Sequence, residues 1–119
     1  MPSEPESLRD RTKDFAIRII HLFRALPKSP DAQVIGKQIL RSGTSVGANY
    51  RSACRARSRQ EFAARIGIVL EEADETIFWL ELLDETGAVK HERMADLMAE
   101  ARELTAIFTT AQRTARQKR

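Results

Sequence analysis

At 119 residues, with 42% hydrophobic and 31% charged content, the chain has room for one domain with a buried core, and its composition excludes a disordered polymer. Five Gly and four Pro are too few for the turns of an all-β protein of this size, and no run reaches the roughly 18 uncharged apolar residues of a membrane helix. The net charge of +3 is modest, so partners have to be read from where the charges sit.

Met1-Pro2-Ser3-Glu4-Pro5-Glu6 is acidic and has no apolar core, which predicts a flexible N-terminus over 1–6 and no secretory signal. Beyond it, Leu8, Thr12, Phe15, Ile19, Leu22 and Leu26 recur in alternating steps of four and three, the seam of one helix. Ala16, Ile20 and Phe23 widen that seam, and Pro27 stops the helix. Ser29 then suits an N-cap and Pro30 a first helical position.

The second helix is predicted to bury Ile35, Ile39, Ser42, Val46, Asn49 and Ala53. Ser42, Gly43, Gly47 and Ala48 make its middle small, which invites close approach by a neighbouring backbone. A break follows near Arg57, and Ser58-Arg59-Gln60-Glu61 is a capping box opening a third helix. That helix carries Phe62, Ile66, Val69, Ala73, Thr76, Leu80 and Leu83 inward and stops at Gly87. A fourth carries Met94, Leu97, Ala101, Leu104, Phe108 and Ala111, followed by a basic tail over 113–119. Four seams of similar length with short connections predict an all-α, antiparallel up-down four-helix bundle occupying 1–119 as a single domain.

Within 76–83 the apolar residues surround the third helix instead of lining one side. A bundle helix keeps one exposed face, so Phe78, Trp79 and Leu82 need a cover, and a subunit interface supplies one better than a chain end does.

No acid lies between Asp31 and Glu61, whereas Lys37, Arg41, Arg51, Arg55, Arg57 and Arg59 do. Lys37, Arg41, Thr44, Ala48, Arg51 and Arg55 form one stripe, each two residues past a seam position and so about 200° from the core. Arginine forks match phosphate oxygens, so the stripe and its flanking arginines are candidate contacts to RNA or DNA. The same stripe also reads as a solvated face, or as a surface meeting Glu71, Glu72, Asp74 or Glu75 of a neighbouring subunit. The lack of interleaved aromatics favours these plainer readings.

No catalytic, cofactor or metal set emerges. Neither His21 nor His91 follows a Glu three residues earlier, as a carboxylate-bridged metal pair in a bundle requires. Cys54, alone, forms no internal disulfide, and no adjacent base activates it, so it reads as a packed or idle thiol. Gly43 to Gly47 lacks the Gly-Lys-Ser/Thr ending of a phosphate loop, which leaves close packing as the reason for those glycines. These readings predict a non-enzymatic, cytoplasmic protein.

Gly36-Lys37-Gln38-Ile39-Leu40-Arg41-Ser42, Thr44-Ser45-Val46-Gly47-Ala48-Asn49, Ser58-Arg59-Gln60-Glu61-Phe62, Glu71-Glu72-Ala73-Asp74-Glu75 and Trp79-Leu80-Glu81-Leu82-Leu83 together resemble the "four helix bundle protein" family. Its members include proteins encoded in intervening sequences of bacterial 23S ribosomal RNA genes, and the likeness runs over roughly residues 10 to 110. The resemblance implies a homopentamer and no transferable catalytic residues. It extends to accessory proteins of diversity-generating retroelements, similar pentameric bundles that bind nucleic acid and a reverse transcriptase. Many relatives have Glu where this chain has Ser52, so the basic segment here lacks an acid that they keep.

Overall fold

In the computed structural model, which describes residues 4–117 with side chains from Ser7 onward, four helices follow one another: α1 (Glu4–Ala25), α2 (Pro30–Cys54), α3 (Arg59–Glu85) and α4 (His91–Gln117). Helix α1 thus begins inside the segment read as a flexible N-terminus. Residues 1–3 and the last two residues of the basic tail, Lys118 and Arg119, lie outside the described residues.

Each boundary has a local cause. Pro30 occupies the first turn of α2 after Ser29, whose backbone carbonyl accepts from the Gln33 amide at 3.0 Å. The Ser29 hydroxyl makes no capping bond to that helix. It serves the Asp31 carboxyl instead, holding it below the usual carboxylate range together with the Ala32 and Asp31 amides. Ser58 caps α3 as its sequence predicts, its hydroxyl accepting from the Glu61 amide at 2.9 Å. Glu61 reciprocates one residue early, taking the Arg57 amide at 2.7 Å. That bond, with help from Arg65, holds the Glu61 carboxyl below its ordinary range. The C-terminus of α3 closes through Gly87 at φ 76°, with Gly87 N–H to Asp84 O at 3.1 Å and Ala88 N–H to Leu83 O at 3.0 Å. Only glycine takes that φ without strain, so the stop is specified by one residue.

The helices pack in chain order, α1 on α2, α2 on α3 and α3 on α4, while α1 and α4 touch sparsely. The core holds Phe15, Ile19, Ile39, Val46, Ile66, Leu80, Leu83, Leu104 and Phe108, all essentially inaccessible. Buried hydroxyls are satisfied: Thr12 donates to Leu8 O at 2.8 Å, and Thr76 meets Ser42 at 2.8 Å across the α2–α3 interface.

Ile39, Ser42, Val46 and Ala53 of the predicted α2 seam are buried, and the inward face is widened on its α1 side. Gly36, Gly43, Gly47 and Tyr50 are buried, whereas Ile35 and Asn49 are half-buried. Close approach of α1 decides this. A Cβ on Gly47 would lie 3.2 Å from the Thr12 carbonyl oxygen, and one on Gly43 2.8 Å from Ile19. Small residues therefore face α1 where Ile35 would not fit, and Asn49 satisfies its amide on Ser45 O at 2.9 Å. On α3, Ala63 takes the fully buried place expected of Phe62, which is half-buried.

Candidate nucleic-acid interface

The stripe on α2 faces outward. Lys37, Arg41, Ala48, Arg51 and Arg55 are exposed, and Thr44 is half-buried with its hydroxyl on Leu40 O at 2.7 Å. Arg55 is the C-cap of α2, and Arg57 lies exposed in the turn that leads to Arg59, the first residue of α3.

These cations differ in their electrostatic surroundings. Arg41 is held within the chain by Glu72 at 3.2 Å and by Glu75, on the adjacent turn of α3. The acids weighed as partners in a neighbouring subunit are thus partly engaged at home. Glu75 also accepts the Trp79 indole N–H at 3.1 Å. Lys37, Arg51, Arg55 and Arg57 have no ion pair among the described residues, so their charge is available to solvent or a ligand. Ser52 accepts from Arg65 at 2.6 Å, while Arg65 also reaches Glu61 at 3.3 Å.

The up-down topology brings together two basic segments that are far apart in sequence. The end of α2, the start of α3 and the end of α4 meet at one pole, where Gln112 donates to Ala63 O at 3.2 Å. A groove of about 820 Å³ there is lined by Tyr50, Arg59, Phe62, Ile107 and Ala111. Arg113 and Arg116 are exposed on the last turns of α4, at the same pole as Arg51, Arg55, Arg57 and Arg59. Tyr50, which no sequence pattern singled out, anchors this end by packing on Phe108 with ring centroids 5.3 Å apart.

Farther along α3, Phe78 is 50% exposed and stacks edge-on against Trp79 at 5.0 Å. Trp79 and Leu82 are half-buried. Cys54 is exposed, not packed. The described residues contain no group of three or more His, Cys, Asp or Glu able to hold a metal, and no helix long and apolar enough to cross a membrane.

With this geometry in place, comparison with known proteins decides the family. The family model for 23S rRNA-intervening sequence proteins matches residues 7–110. The chain belongs to that family. A 1.70 Å crystal structure of a protein of unknown function, from the S23 ribosomal protein family of Bacteroides thetaiotaomicron, is 38% identical and superposes with a TM-score of 0.82. The match covers 87% of this chain and 96% of that one. No curated protein matches the chain. The 23S rRNA-intervening sequence match spans most of all four helices, so the arginine pole and the exposed α3 face both lie on the shared bundle, apart from Arg113 and Arg116.

Proposed function

We propose that this protein is a non-enzymatic homo-oligomer, pentameric as its family resemblance implies, that binds RNA or DNA phosphates through Lys37, Arg51, Arg55 and Arg57. The observation that carries this reading is the set of exposed cations with no ion pair, gathered at and leading to one pole of the bundle. Arg41 contributes less than its place on the stripe suggests, because Glu72 and Glu75 already neutralise it. Arg59 and the α4 residues Arg113 and Arg116 extend the positive field around the pole. The test is fluorescence anisotropy with labelled structured RNA and duplex DNA. Binding tighter than the non-specific range of about 10⁻⁴ to 10⁻⁶ M at physiological salt supports the reading.

The alternative is a scaffold in which these arginines hold subunits together. The intrachain pairing of Arg41 removes two of the acids it relies on, leaving Glu71 and Asp74 exposed on α3.

The subunit contact is assigned to Phe78, Trp79 and Leu82, the apolar outer face of α3. A half-exposed aromatic pair beside a half-buried leucine gains from burial at about 25 cal/mol per Å² of apolar surface. Phe78→Asp is expected to reduce the mass measured by light scattering to that of a monomer, with helical circular dichroism unchanged. An unchanged oligomer mass would place the contact elsewhere.

A further inference from the structure

The sparse contact between α1 and α4 is bridged by ion pairs at one level. There Arg11 of α1 reaches Glu100 at 2.7 Å and Glu103 at 2.9 Å on α4, and the Glu100 bond raises the Arg11 pKa against the opposing effect of burial. Toward the other end, beyond Arg18, the gap stays open as a cleft of about 610 Å³ between α1, the α3–α4 turn and the start of α4. This size falls within the range of small-molecule sites, about 300–1,000 Å³.

The cleft is charged unevenly. Arg18, Lys90 and Arg93 line it with Asp96 as the single acid, and none of the four has an ion pair among the described residues. Its apolar wall is made by Leu22 and Val89, half-buried, and Leu97, buried. Three cations against one carboxylate match a doubly charged phosphate group, and arginine holds its oxygens in a bidentate fork. The apolar wall offers a surface for a flat ring, and Asp96 offers an acceptor for hydroxyl donors.

We infer that this α1–α4 cleft binds a small phosphomonoester bearing a ring and hydroxyl groups, the chemistry of a nucleoside monophosphate. It lies at the opposite end of the bundle from Arg51, Arg55 and Arg57, because α1 and α2 run antiparallel. The two sites are therefore separable, and the cleft does not depend on the function proposed for the α2 pole.

Titration calorimetry of the full chain with AMP, adenosine and inorganic phosphate tests this. AMP is expected to bind saturably and at least about tenfold tighter than either fragment, since only it uses both cations and wall. Lys90→Ala with Arg93→Ala, both at exposed positions, should weaken AMP about tenfold or more, and Arg18→Ala should do the same. The R51E/R55E double variant should bind AMP normally, while the cleft variants should keep any oligonucleotide binding. Three results would each overturn the inference: no saturable AMP binding, AMP no tighter than phosphate, or AMP binding lost in R51E/R55E but kept in the cleft variants.

Discussion

Replacing Arg51 and Arg55 together with Glu is expected to lower affinity for structured RNA or duplex DNA by at least about 100-fold, while leaving the fold and the oligomer intact. Two charge-assisted contacts contribute about 1.5–3 kcal/mol each, and every 1.4 kcal/mol is tenfold in affinity. The introduced carboxylates add repulsion to that loss. The fold should tolerate the change because both side chains are exposed and neither is ion-paired among the described residues. Arg51 does sit in the last turn of α2, where a cation favours the helix dipole, so reversal there costs about 0.3–1 kcal/mol. Anisotropy and light scattering on the same sample read the two effects separately. Binding that survives the reversal contradicts the proposed surface, and an oligomer that falls apart assigns the arginines to assembly instead.

Gly47→Leu is expected to be the most destabilising single change in α2. The added side chain would meet the α1 backbone, with Thr12 O and C at 3.2 and 3.3 Å from the Cβ position, and backbone cannot turn aside as a side-chain tip can. Overpacking of this kind costs about 1–3 kcal/mol and occasionally more, a large share of the roughly 5–15 kcal/mol that holds a domain together. Gly67→Ala is the matched control. Its Cβ meets only the Gln112 amide nitrogen, the far end of a flexible side chain, and losing that amide's bond to Ala63 O offsets the gain of up to about 1 kcal/mol in helix propensity. Urea unfolding should show a clear fall in midpoint for Gly47→Leu and little change for Gly67→Ala. Equal midpoints would mean that α1 does not rest on α2 at Thr12.

The four helices were legible because their signals are local. Seam spacing, the Ser58 cap and the Gly87 stop each lie within a few residues, and each sits where the pattern places it. The widening of the α2 inward face toward α1, with Ile35 and Asn49 left half-buried, was not legible in the same way. Apolarity favours Ile35, whereas burial follows the distance to α1, which only the packed structure sets. The outward direction of the cationic stripe followed from periodicity, but its electrostatic state did not. Arg41 and its partners are 31 and 34 residues apart, and Arg11 and Glu100 are 89 apart, so no window along the chain could pair them. The meeting of the α2 and α4 basic ends at one pole follows from the up-down topology once the helix order is known. The α1–α4 cleft had no sequence signal, since it is defined by which cations lack a facing acid.

The most direct test of the arginine pole is the salt dependence of anisotropy for the wild-type chain on duplex DNA and structured RNA. If Lys37, Arg51, Arg55 and Arg57 each neutralise one phosphate, log affinity should fall against log salt with a slope of about −3 to −4 on duplex DNA, at about −0.9 per phosphate. A flat salt response, or no binding even at low salt, would contradict phosphate recognition by this surface and leave the arginines to a protein contact.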